Sequence, residues 1–258
     1  MKIRFLGTGT STGVPQIGCA CPVCSSSDAR DQRLRTSVML ESSLGTRILL
    51  DCGPDFRIQM LKFDNYSAID AVLLTHEHYD HVGGIDDLRP YCTLGAVNLY
   101  ADDSCLKHLK ERIPYCFAEK LYPGVPQLHL FSIEPGRSFY VNELEILPLL
   151  VYHGRMPILG FRIGEFAYLT DVTQIPDETY HMLQGVRTLV IDALRFYSHP
   201  THMTVGEALD VSRTISADRT FLVHMSHHVG LHKEVQQSLP SQVFLAYDGL
   251  EIFVNEFR

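Results

Sequence analysis

Apolar residues along this chain gather in short runs bounded by glycine, proline or polar residues, and such runs predict β-strands. Ile3–Leu6 alternates and is the first. Thr36–Leu40 and Thr46–Asp51 follow as a pair, with a turn over Ser42–Gly45, and Ala71–Thr75 comes next. Phe139–Val141, Leu144–Tyr152, Leu159–Ile163 and Phe166–Thr170 form a later group. Thr188–Ile191, Thr220–Val223, Val243–Ala246 and Glu251–Val254 complete the set. Four segments read as helices: Asp55–Leu61, entered through Pro54; the amphipathic Asp102–Arg112; Pro176–Leu183; and Thr204–Ile215. In the last, Thr204 and Glu207 have the spacing of a capping box. From Pro114 to Gly136 the chain is rich in proline and glycine and carries Tyr115, Phe117 and Tyr122. An irregular insertion is expected near 114–137, serving as a lid, a substrate wall, a surface loop or a subunit contact. No internal repeat or low-complexity tract interrupts the pattern.

Composition narrows the class. The 258 residues fit one large domain or two small ones, and a 45% hydrophobic share supports a full core. No run approaches the ~20 apolar residues of a membrane span. Met1–Gly7 enters a strand pattern directly, without the apolar stretch of a signal peptide. A cytoplasmic protein with no membrane contact is expected. The net charge of −8, with thirteen histidines counted as neutral, argues against a long nucleic-acid backbone as partner. Small phosphorylated substrates stay open, since bound cations would offset that charge locally. Of seven cysteines, Cys19, Cys21 and Cys24 cluster, while Cys52, Cys92, Cys105 and Cys116 are scattered. An odd count without a signal peptide argues against a disulfide framework.

The densest chemistry is His76-Glu77-His78-Tyr79-Asp80-His81, which directly follows the Ala71–Thr75 run and precedes Gly83-Gly84, a pair expected to loosen the backbone. Neutral imidazole and carboxylate are ligands for Zn2+ and also suit Mn2+ and Fe2+. Alternation in an extended segment puts His76 and His78 on one side, with Asp80 and His81 past the bend. One metal cannot easily take four groups from so tight a loop, but two metals roughly 3.5–4 Å apart can divide them. Three further runs end the same way. Leu149–Tyr152 leads into His153, Phe166–Thr170 into Asp171, and Thr220–Val223 into His224. If the runs are strands of stacked sheets, their ligand-type ends meet at one rim.

Two more stretches carry signals. Cys19-Ala20-Cys21-Pro22-Val23-Cys24 sets three thiols in six residues, a pattern for a closed structural zinc loop near 18–25 that needs a fourth ligand from elsewhere. Gly7-Thr8-Gly9-Thr10-Ser11-Thr12-Gly13 has the look of a phosphate cradle, but no Gly-Lys-Ser/Thr follows and no helix opens from it. It is expected to be a flexible turn past the metal site, with amides that could touch a substrate oxyanion.

His76-x-His78-x-Asp80-His81, with His153, Asp171 and His224 in order, resembles the metallo-β-lactamase superfamily across nearly the whole chain. The resemblance implies an α/β fold, a single four-layer αββα sandwich over residues 1–258. It places His76, His78 and His153 on a first metal, Asp80, His81 and His224 on a second, and Asp171 between them. Gly7-Thr8-Gly9-Thr10, Val14-Pro15 and the cysteine run resemble, more narrowly, the phosphodiesterase group of the carbon–phosphorus lyase pathway. That likeness implies hydrolysis of small or cyclic phosphodiesters, two active-site Zn2+ or Mn2+ ions, a structural Zn2+, and a homodimer as the default. It also implies that His227, in preference to its neighbour His228, completes the zinc loop, and that His202 of His202-Met203-Thr204 donates a proton. His202 and Asp80 are the candidate catalytic residues, and His199 is set aside as a surface turn residue before Pro200. The tRNA 3′-processing nucleases share the first motif but carry a basic RNA-gripping arm, and no Lys/Arg-rich insertion is present here. A ribonuclease of that type, a thioesterase and a non-hydrolytic cofactor-biosynthesis protein stay open beside the phosphodiesterase.

Overall fold

The computed structural model describes residues 1–63 and 65–256. Strand β1 spans Lys2–Gly7, β2 Ser37–Glu41, β3 Arg47–Leu50, β4 Ala71–Leu73, β5 Val97–Ala101, β6 Leu128–Ser132 and β7 Phe139–Val141. Strand β8 is Leu144–His153, β9 Met156–Ile163, β10 Phe166–Leu169, β11 Thr188–Asp192, β12 Arg219–Val223, β13 Val243–Leu245 and β14 Glu251–Phe253. Helices α1 to α6 are Phe56–Phe63, Tyr79–Val82, Asp103–Arg112, Asp177–Met182, Val205–Ile215 and His232–Ser238.

The strands form two seven-stranded sheets, in the orders β14-β1-β2-β3-β4-β5-β6 and β13-β12-β11-β10-β9-β8-β7. Their inner faces pack on each other. Ile48, Leu50, Ala71 and Leu73 of one sheet meet Phe161, Phe166, Tyr168 and Val223 of the other in one buried cluster. The outer face of the first sheet, with Leu49 and Val72, is covered by Phe56 and Met60 of α1 and Leu106 and Leu109 of α3. The outer face of the second, with Leu189, Ile191 and Leu222, is covered by Val205, Ala208 and Val211 of α5 and Val235 of α6. The result is the four-layer αββα sandwich. Because the central strands are buried on both faces, they read as continuous apolar runs instead of alternating ones. Helix α5 starts as expected, with the Thr204 and Glu207 side chains each bonding the other's backbone N–H.

Four elements escape the periodicity, the one-turn α2 among them. The stretch expected to be irregular over 114–137 ends in β6, which pairs in parallel with β5, Val97 opposite Leu128. β6 is an edge strand with no fully buried residue, and β5 alternates buried positions with half-buried Asn98 and Tyr100. Helix α6 reads His-Lys-Glu-Val-Gln-Gln-Ser, with Val235 its one aliphatic residue. No helix among the described residues is long and apolar enough to cross a membrane. All seven cysteines are free thiols.

Candidate metal centre

β3 runs parallel to β4, and β10, β11 and β12 run parallel to one another, so within each sheet their C-terminal ends share a rim. β4 leads to His76 and His78, and the turn into α2 adds Asp80 and His81. β8 ends on His153, and β10 and β12 deliver Asp171 and His224 one residue or two beyond their last paired position. Asp171 and His224 have φ of +59° and +57°, so the chain turns sharply there and swings each side chain into the cleft. A left-handed conformation at a non-glycine residue costs roughly 1–2 kcal/mol and is held only where packing enforces it.

The side chains collect in two groups. His76, His78 and His153 form one, and Asp80, His81, Asp171 and His224 the other, each with ligand atoms within 4.8 Å of one another. His76 Nε2 is 3.0 Å from His78 Nδ1. His81 Nε2 lies 3.2 Å from Asp80 Oδ2 and 3.1 Å from Asp171 Oδ2, and His224 Nε2 lies 3.4 Å from Asp80 Oδ2 and from Asp171 Oδ1. Asp171 also comes within 4.8 Å of His153, which puts it within reach of both groups. The donor set fits divalent cations. Tetrahedral ligands on bonds of ~2.1 Å stand ~3.4 Å apart, and His81 Nε2 is buried with no hydrogen-bond partner while facing two carboxylates.

Supporting groups fix these rings. The Thr75 hydroxyl is 2.9 Å from His76 Nδ1, and His153 Nδ1 donates to the Thr201 carbonyl at 2.6 Å. His81 Nδ1 donates to Asp51 Oδ2 at 2.8 Å, and Asp51 also accepts from the Thr75 backbone and from Tyr168 Oη. Such contacts set tautomer and ring orientation. Sequence reasoning missed Asp51 and also Asp192, a fully buried carboxylate 3.2 Å from His202 Nδ1 and 3.8 Å from His224 Nδ1. Both obey the rule that exposed the ligands, since Arg47–Leu50 runs into Asp51 and Thr188–Ile191 into Asp192.

His202 stands at the cleft with its ring 4.8 Å from those of His153 and His224. His199 is not a plain surface residue. It is half-buried, its ring lies 5.1 Å from that of His202, and its Nδ1 accepts from the Thr201 N–H at 3.3 Å. The Gly7–Gly13 segment is pinned rather than flexible: the Gly9, Thr10 and Gly13 amides bond to Leu34, Met225 and Thr10 carbonyls and are not free for an oxyanion. Gly83 and Gly84 likewise do not loosen the chain. Both have φ below zero, and a Cβ on Gly84 would sit 2.1 Å from the Gly53 carbonyl oxygen, so close packing excludes any larger residue.

A separate cluster joins Cys19, Cys21 and Cys24 to His227, whose Nδ1 is 3.2, 3.3 and 3.4 Å from the three sulfurs. His228 is exposed and outside this group. Tetrahedral Zn2+ separates sulfur and nitrogen ligands by ~3.5 Å, so the cluster fits that ion. Cys24 N–H and the His227 ring lower the Cys21 thiol to about 6, and burial raises Cys24 to about 11.

Without bound cations, protons would balance the charge of the cleft. Burial would depress His224, but Asp171, Asp80 and Asp192 outweigh it and hold it up at about 9. Burial opposes His81 too, and Asp171, Asp80 and Asp51 raise it well above the ordinary range. Burial would lift Asp80 and Asp171, yet the His81 and His224 charges pull both far below the usual carboxylate range. Stability from the raised imidazoles is present below ~6.5 and lost as pH rises through their folded values, whereas that from the depressed carboxyls is present above ~4 and lost as pH falls. Through the raised imidazoles, chelator-treated protein should therefore lose stability from about pH 6.5 toward pH 9. Zinc should remove most of that loss, since cations take over the protons' role. Melting curves at pH 6.5 and 9, with and without zinc, test this; equal melting temperatures for chelated protein at both values would contradict it.

A family model described as a beta-lactamase superfamily domain matches residues 46–225. A solved diphosphatase from the PhnP family is 39% identical with a TM-score of 0.91, over 99% of this chain and 98% of that one. A curated protein of Porphyromonas gingivalis named octanoyltransferase is 46% identical over 257 residues, 99% of this chain and 52% of its own length. This chain thus spans about half of that relative. The fold is also that of Zn2+-bound PqqB from Methylobacterium extorquens, with a TM-score of 0.81 and 19% identity over 98% of this chain and all of the other.

Proposed function

The chain belongs to the beta-lactamase superfamily, and on that premise we propose that it is a metal-dependent hydrolase of small phosphodiesters, diphosphate diesters included. His76, His78 and His153 would hold one divalent ion, and Asp80, His81 and His224 a second, with Asp171 shared. Such ions supply Lewis acidity toward phosphoryl oxygens and lower the pKa of water. Cys19, Cys21, Cys24 and His227 would hold a structural zinc away from the chemistry.

The rest falls to the protein. In hydrolysis the oxygen of water bonds to phosphorus, the bond from phosphorus to the leaving oxygen breaks, and that oxygen needs a proton. His202 is the donor. Its Nδ1 is committed to the buried Asp192 carboxylate, which also accepts from the Met203 N–H, so Nε2 is the atom left to protonate the leaving group. Water then restores the imidazole's proton. Asp192 is 0% exposed, and burial raises its pKa. Its work is to hold the ring and its tautomer. The observation that carries the proposal is this imidazole–carboxylate pair set beside two complete donor groups. The 39% identity with a PhnP-family diphosphatase supports the phosphodiester class. The octanoyltransferase name describes a protein about twice as long, and this reading leaves acyl transfer to the half the chain does not match.

Zinc- or manganese-loaded protein, offered bis-p-nitrophenyl phosphate, a diphosphate diester, an octanoyl thioester and a precursor tRNA, should turn over the first two at least ~100-fold faster than the others, the difference a built polar site imposes. Faster thioester or tRNA cleavage would replace the proposal.

A further inference from the structure

One wall of the cleft is the loop from Asp192 to His202. Its base is pinned, because the Leu194 N–H donates to the Met203 carbonyl and the Val205 N–H to the Arg195 carbonyl. Its tip carries Phe196 and Tyr197, each 52% exposed. Arg195 lies against the Tyr197 ring, 4.0 Å from its centroid, and donates to the Tyr197 and Ser198 carbonyls. Among the described carboxylates none pairs with Arg195. The Tyr197 ring is also 5.9 Å from that of His228, at a steep angle to it.

This wall differs in charge from the rest of the chain. Residues 193–204 and 225–233 contain Arg195, Lys233 and five of the thirteen histidines and no acidic residue of their own, while Asp192, Glu207 and Asp31 bond to their inner positions and not to Arg195. Arg195 is the fixed positive charge at the tip of this rim. A half-exposed aromatic ring beside a guanidinium with no carboxylate partner among the described residues suits a ligand with a flat base and an anionic group next to it.

We propose that this wall receives a nucleoside diphosphate moiety, the base stacked on Tyr197 and the phosphate remote from the scissile bond paired with Arg195. The substrate class is then a diphosphate diester bearing a nucleoside. This rests on the phosphodiesterase reading above and deepens it. Neither Arg195 nor Tyr197 touches the metal donors, so their loss changes recognition and leaves metal content intact.

Calorimetric titration of zinc-loaded protein with adenosine diphosphate and with inorganic diphosphate tests the wall without turnover. Adenosine diphosphate should bind about tenfold tighter, the scale of one base–aromatic stack. Tyr197→Leu should erase that difference, and Arg195→Met should weaken both ligands several-fold. A methyl p-nitrophenyl phosphate assay on the same variants should show kcat and KM within about twofold of the parent, which also certifies their folding. Equal affinity of the parent for the two ligands, or a preference that survives Tyr197→Leu, overturns the wall while leaving the phosphodiesterase reading untouched. Binding as expected without hydrolysis of any diester overturns that reading and leaves the wall standing.

Discussion

Replacing Asp171 with asparagine should strip the second donor group of its metal and cut diesterase turnover by a factor on the order of 10³ or more. The carboxylate is 2% exposed and stands 3.1 Å from His81 Nε2 and 3.4 Å from His224 Nε2, with His153 also in reach. His202 also clusters with members of both groups, but its Nδ1 faces Asp192, which leaves Asp171 as the carboxylate in reach of both. The negative charge of Asp171 favours a cation in this group, and an amide has neither the charge nor a second equivalent oxygen. Asparagine is the informative choice because it tolerates the +59° backbone at this position, so a loss reports ligation and not strain. Elemental analysis beside the diester assay gives the answer. A variant with full metal content and parental turnover would mean that Asp171 is not shared between the ions.

His202→Ala should behave differently. Turnover on an alkyl diester should fall ~10²–10⁴-fold, the range of a general acid, while metal content stays complete. His202 meets the metal groups through ring contacts and a 3.7 Å approach to Asp171, and its Nδ1 is spent on Asp192. A p-nitrophenolate leaving group needs little protonation, so the loss on bis-p-nitrophenyl phosphate should be at least tenfold smaller. Equal losses on the two substrates, or loss of metal with activity, would take the proton-donor role from this residue.

Much of the site is legible in the sequence, for a physical reason. Strands covered on both faces are mostly apolar, so an imidazole or carboxylate stands out where the strand leaves the sheet. His76, His153, Asp171 and His224 mark those exits. Asp51 and Asp192 mark two more without announcing a role, because an aspartate after a strand looks the same whether it starts a turn or braces a histidine. What separates the cases is the partner, and His81 and His202 come from other segments. β6 escapes for a related reason: an edge strand need not be apolar, and its identity comes from β5, which lies well before it in the chain. The glycines at 83 and 84 read as looseness because tight packing and a special dihedral angle leave the same trace in a sequence.

Asp51, Asp171 and His224 share a backbone geometry, with φ of +58°, +59° and +57°. Aspartate, asparagine and histidine are the side-chain-bearing residues most at home in that geometry, and two of the three are strong metal ligands or ligand braces. Glycine would satisfy the bend and coordinate nothing. Glutamate could coordinate, but it fits the bend poorly and reaches one methylene too far. Each corner is thus constrained twice by unrelated demands, and randomising these three codons should yield far fewer survivors than randomising His78, where chemistry alone selects.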